Sequence, residues 1–242
     1  MVNVKDVKQR LEEVKKKLDE TTKKINTIDF DAHWYRRVFH VFGASFIFYY
    51  VLPNANWVNL LDWINILKIW VPVSIVIIIV LLEILRLKGK INSDHFFGLR
   101  TYEKKRAGSY VFFAVAIVIL FLFFPQQIAI PCILCACLAD PIMGEIRYRF
   151  GEKQAYIVGF IACMFFFIVT WFKADFSLMI LVSVVGAIGA VVGEAKKFWW
   201  LDDDFMIQML PAILILIIWF GAPCLGLNPP VEPIIYPSVI SW

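Results

Sequence analysis

The stretch WINILKIWVPVSIVIIIVLLEIL, residues 63–85, decides the fold. It sets a single Lys and a single Glu in a run of Ile, Val, Leu and Trp. It is longer than the roughly 20 apolar residues a helix needs to cross a bilayer. Hydrocarbon offers no partner to a backbone N–H or C=O, so such a segment satisfies its own hydrogen bonds by becoming a helix. Six further apolar segments follow the same logic, at about 34–52, 110–124, 126–139, 155–172, 176–193 and 206–222. Those at 110–124 and 126–139 are short, and Pro125-Gln126 between them reads as a tight hairpin. At 60% hydrophobic residues over 242 positions, the chain exceeds the apolar share of about 45–50% usual for soluble domains. The predicted fold is an all-α polytopic membrane protein with about seven transmembrane helices, six or eight being the alternatives.

Basic residues in short loops mark the cytoplasmic side. Residues 1–37 carry ten Lys and Arg, 86–106 carry seven, 147–153 carry three, and Lys196 and Lys197 complete 22 of the 24 in the chain. Only Lys68 and Lys173 fall toward the other side. The pattern predicts a cytoplasmic amino terminus and an extracytoplasmic tail over 223–242, which has neither Lys nor Arg. The net charge of +4 is what positive loops against anionic lipid require, and nothing in it suggests nucleic acid. Cys132, Cys135 and Cys137 lie within an apolar segment, where small thiols are ordinary packing residues.

Residues 1–30 form a separate soluble piece. Val4, Val7, Leu11, Val14, Leu18, Thr21, Ile25 and Ile28 recur at steps of three and four, the period of a coiled-coil seam. A homodimer through this helix and an amphipathic helix lying on the lipid bilayer both fit. Residues 31–222 then make the membrane domain that holds every candidate for chemistry.

The apolar segments hold few charges at mid-depth, unlike most transporters, and the charged motifs gather at segment ends. Asp140, Gly144, Arg147 and Gly151 are spaced four, three and four apart, which sets them on one face of a helix. A carboxylate beside glycines offers a metal ligand next to backbone that a polyphosphate can approach. The equal alternative is that Asp140 pairs with Arg147 while the glycines permit helix packing. Glu194, Lys196, Lys197, Asp202, Asp203 and Asp204 form a second cluster. One Asp would suffice to cap the following helix, so the excess of carboxylates points to a divalent cation. Arg100, Arg106, Gly108 and Ser109 stand before the third segment, where basic groups and a helix start suit phosphate. His40, on one face with Arg36 or Arg37 at the entry to the first segment, is a candidate base or a structural histidine.

The order of these motifs, Arg-x-x-His-x-x-Gly, Arg-x-x-Glu before Gly-Ser, Ala-Asp with Phe-Gly beyond it, then Glu and an Asp-Asp pair before a Pro-containing last segment, resembles the CTP-dependent lipid-alcohol kinases. Dolichol kinase, phytol kinase and the yeast-type diacylglycerol kinase belong to that family, and phosphatidate cytidylyltransferase is a more distant relative. The resemblance covers Arg36 to Pro211. The chain departs from the family at Met143, Arg147 and Asp204, and lacks the family's Lys-Ser or Lys-Thr after Gly151. The resemblance implies phosphoryl transfer from CTP to a membrane-embedded isoprenoid alcohol such as a dolichol or polyprenol, with Mg²⁺. Asp140, Asp203 and His40 are then the catalytic candidates, and Asp140, Glu194, Asp202 and Asp203 the metal ligands. Arg100, Arg106, Gly108, Ser109, Gly144, Arg147, Gly151, Lys196 and Lys197 would hold the nucleotide. A cytidylyltransferase making a CDP-activated lipid, and a non-catalytic scaffold or transporter, are the rival readings.

Overall fold

In the computed structural model, residues 37–53, 62–92, 99, 103, 105–195, 201–230 and 232–236 are described. The amino-terminal 1–30 segment, Arg36, Arg100, Lys196 and Lys197 lie outside the described residues. Among those described, every regular element is helical. Five helices are long and apolar enough to cross a membrane: α2 (Trp63–Leu87), α4 (Gln126–Phe150), α5 (Glu152–Trp171), α6 (Phe176–Ala195) and the helix opening at Asp203, α7 (Asp203–Gly221). Two shorter apolar helices accompany them, α1 (Arg37–Val51) and α3 (Ser109–Phe123). The protein is a membrane-embedded helical bundle.

The break between α3 and α4 falls at Phe124 and Pro125, both with extended backbone. Proline has no N–H to donate and a fixed φ, so it suits the residue just before a helix. The apolar segment expected at 126–139 and the motif helix around Asp140 are one continuous α4, through a π-helical turn at Cys135–Ala139. Such turns often occur at functional positions, and this one ends at Asp140. α4 is the most enclosed of the span-length helices, and α2, largely exposed, is the least. In lipid, an exposed Ile or Leu on α2 is solvated by acyl chains and needs no protein partner. Cys132, Cys135 and Cys137 are fully buried, as packing residues should be.

Small residues bring the helices that carry the motifs into contact. A Cβ on Gly193 would lie 2.5 Å from the carbonyl oxygen of Met206, and one on Gly189 would lie 3.0 Å from Pro211 Cα. α6 therefore rests on the backbone of α7, the close approach that glycine at such a spacing permits. At Gly43 a Cβ would meet Cys137 Sγ at 2.9 Å, so α1 lies directly against the π turn. Two hydroxyls within the spans are satisfied locally: Thr170 donates to Phe166 O and Ser183 to Met179 O, the back-bonding open to Ser and Thr in apolar helices.

The two ends of the bundle differ. At one end the tail folds back, with Gln126 Oε1 accepting from the amides of Ile234 and Ile235 and Gln127 Nε2 donating to Glu232 O. Lys173 donates to Glu232 there at 2.9 Å. That contact raises the lysine's pKa and lowers the glutamate's. The other end gathers the motifs.

Candidate functional site

His40, one turn into α1, meets carboxylates from two other helices. Its Nδ1 is 3.4 Å from Asp140 Oδ2, and its Nε2 is 3.8 Å from Asp204 Oδ1. Nδ1 also lies 3.1 Å from the carbonyl oxygen of Ala136, inside the π turn. A carbonyl only accepts, so the Ala136 contact is a hydrogen bond in the tautomer that carries its proton on Nδ1. One ligand atom from each of His40, Asp140 and Asp204 falls within a 4.8 Å set, and Asp202, Asp203 and Asp204 form a second such set. Asp204 belongs to both, which joins the two groups into one acidic centre.

The flanking arginines hold this centre from two sides. Arg106 donates to Asp202 Oδ2 at 2.8 Å and Arg147 to Glu194 Oε1 at 2.9 Å. The Arg147 guanidinium also stands 5.6 Å from the Tyr156 ring centroid, within cation–π range. Asp140 and Asp203 both act electrostatically on Glu194. Arg37 and Arg149 both reach Glu145, which pins the start of α1 to the far part of α4.

Several expectations change in the structure. Arg147 pairs with Glu194 and not with Asp140, because α6 is drawn onto α7 by Gly189 and Gly193 and carries Glu194 to it. Gly151 is not on the Asp140 face: it ends α4 with φ 92°, a conformation in which glycine avoids the cost of a Cβ, and lets α5 double back. Gly108 likewise turns its N–H to Glu83 Oε1, 2.6 Å away, so that amide is already engaged and does not offer itself to a nucleotide. Ser109 is buried at the start of α3. Asp202 caps α7, accepting from Asp204 N, and binds Arg106. Gly144 has no neighbour that a Cβ would meet within 4 Å, which keeps its backbone open as expected.

Asp204 was missed as a site residue, since it stood as a departure from the Asp-Asp pair. The periodicity held a signal, because Asp204, Ile207, Gln208, Pro211, Ala212 and Ile215 are all buried on α7 and share one helical stripe. A carboxylate at the head of a buried stripe points inward. Glu83, at the end of α2 on the side its sequence position suggests, was not read as having a role beside the site.

The resemblance implies Mg²⁺, and the residues fit a divalent cation. Glu194 is buried, and its Oε2 has no hydrogen-bond partner among the described residues. A buried carboxylate oxygen without a donor is costly, but the ligand atoms close enough to share one ion are those of His40, Asp140 and Asp204 and those of Asp202, Asp203 and Asp204, with Glu194 in neither set. The donors are mostly hard carboxylate oxygens, which suit Mg²⁺, and the imidazole of His40 would also accommodate Mn²⁺.

Neither a family model, nor a curated protein, nor a solved structure matches the chain.

Proposed function

We propose that this protein is a membrane phosphotransferase that moves the terminal phosphoryl group of CTP to the hydroxyl of a long isoprenoid alcohol, giving a polyprenyl monophosphate and CDP. The observation that carries the reading is the meeting of His40, Asp140, Glu194, Asp203 and Asp204, from four helices, between Arg106 and Arg147 at one end of an apolar bundle. Acidic groups that gather a cation, bordered by guanidinium groups that neutralise phosphate oxygens, are what phosphoryl transfer needs, since its catalysis is mainly positioning and charge. CTP and the isoprenoid acceptor come from the motif resemblance.

In the step, the alcohol oxygen forms a bond to the γ-phosphorus and the bond from that phosphorus to the β-bridging oxygen breaks. Its electron pair leaves with CDP. The hydroxyl proton passes to His40 Nε2 or to a neighbouring carboxylate. Asp140 and Asp204, with Asp203 beside them, would hold Mg²⁺, which when bound neutralises charge across the phosphates. Arg106 and Arg147 would orient the nucleotide, exchanging part of their contact with Asp202 and Glu194 for phosphate oxygens. In this reading the two shorter apolar helices cross the bilayer with the five span-length ones, and the excess of basic residues in the loops supports a cytoplasmic amino terminus with this end of the bundle on the same side. The acceptor then enters sideways, with its tail remaining in lipid.

The test incubates the purified full chain with Mg²⁺, each nucleoside triphosphate in turn, and a mixture of polyprenols, phytol and diacylglycerol. Mass spectrometry should find a polyprenyl monophosphate and CDP with CTP. Pyrophosphate release with a CMP-bearing lipid would move the reading to a cytidylyltransferase, and an unchanged lipid mixture would sink it.

A further inference from the structure

Glu83 and Arg86 lie at the end of α2, outside the acidic centre, and both are almost wholly buried. Arg86 donates through Nε to Glu83 Oε2 at 2.7 Å and through Nη2 to Oε1 at 2.6 Å. This two-pronged contact is the strongest geometry open to Arg and a carboxylate. Both groups also reach one short stretch of chain. Glu83 accepts from Gly108 N at 2.6 Å and Tyr110 OH at 2.5 Å, while Arg86 Nη2 donates to Arg106 O at 2.6 Å and Glu103 O at 3.1 Å. Gly108 is held so closely that a Cβ there would lie 2.5 Å from the Tyr110 ring. The pair thus grips the main chain on both sides of Arg106, whose own side chain reaches Asp202.

We propose that Glu83 and Arg86 are positioning residues that fix the backbone at Glu103 and over 105–110 so that Arg106 is delivered to the nucleotide phosphates. The proposal rests on the phosphotransferase reading. A buried ion pair gives little net stability against apolar replacements of similar size, and a pair retained solely to hold α2 to α3 would not need four contacts to the chain around one partly exposed arginine. The pair replaces a freely moving loop arginine with a preset one, lowering the ordering cost of nucleotide binding.

The test removes both charges together, because removing one would leave a buried ion unpaired. In the full-length Glu83→Gln, Arg86→Gln double variant, amide exchange over 105–110 should accelerate by about tenfold or more. KM for CTP should rise about tenfold with kcat held within about twofold. Placed on an Arg106→Ala background, the same double change should alter KM by less than about twofold, since its effect runs through that side chain. Unchanged exchange, or KM effects that multiply fully across the two backgrounds, would overturn the proposal. Should the double variant not fold, Tyr110→Phe, which deletes one contact to Glu83, must shift exchange and KM in the same direction; no shift overturns it equally. A wild-type protein that folds but transfers no phosphoryl group sinks the phosphotransferase reading itself, a result distinct from an active enzyme whose Arg106 is indifferent to Glu83 and Arg86.

Discussion

Asp140 stands where the π turn of α4 ends and His40 begins its contact with the acidic centre. Its side chain is only partly buried, so the fold does not depend on it as it would on a core residue. Asp140→Asn keeps the shape and removes the charge. Turnover should fall by about 10³-fold or more, because a lost cation ligand removes several kcal/mol of transition-state stabilisation. The thermal unfolding midpoint should barely move, and full activity in the variant would show that this face serves packing alone. Asp140 and Glu194 were legible in the sequence because charge at the end of an apolar run is costly and rare. Asp204 was less so, since three adjacent acids look alike until the buried stripe of α7 turns Asp204 inward, while Asp202 is buried as the cap of that helix. Glu83 was hidden for another reason: its partners Gly108 and Tyr110 are 25 and 27 positions away, and no local spacing reveals a carboxylate that binds a distant backbone amide.

At the scale of elements, the crossing of α6 and α7 decides where Glu194 and Asp203 sit. Gly193 lies against the Met206 carbonyl, so even one methyl group there forces the helices apart. Gly193→Ala should cost about 1–3 kcal/mol of stability, the range for overpacking a close contact. It should also reduce turnover, since it moves Glu194 away from Asp203. Thermal unfolding and the phosphorylation assay, run in parallel, check both effects, and an unshifted midpoint would show that the crossing is looser than this. Apolar periodicity made the helices themselves legible, because a span is written in composition over some twenty residues. The charged extension of α4 was legible from the helical spacing of Asp140, Gly144 and Arg147, whereas the π turn that joins it to the apolar part leaves no mark in hydropathy.

For the whole molecule, the two ends carry unlike chemistry. One end is closed by the tail through Gln126, Gln127 and Lys173, with no cluster of metal-ligating side chains among its described residues. The other gathers the acidic centre and its arginines. A water-soluble triphosphate and an apolar alcohol can meet only at such a boundary, because carrying a multiply charged phosphate into hydrocarbon costs several kcal/mol per ion. In sealed vesicles of known orientation, CTP supplied on the amino-terminal side should support lipid phosphorylation, and CTP supplied on the tail side should not. Equal activity from the tail side would refute the orientation and the site together.

The π turn at Cys135–Ala139 lets the two halves of α4 be phased separately. An ordinary helix turns about 100° per residue, so its inner and outer parts are locked in one angular register. A widened turn uncouples them. The half before Cys135 can be rotated to suit its neighbours in the bundle, and the half from Asp140 onward to suit the chemistry. The cost of that freedom is confined to five small or apolar residues, three of them cysteine or leucine and two alanine. Sequence drift in the lipid-embedded half can therefore proceed without turning the acid away from its histidine, provided the length of this one turn is kept.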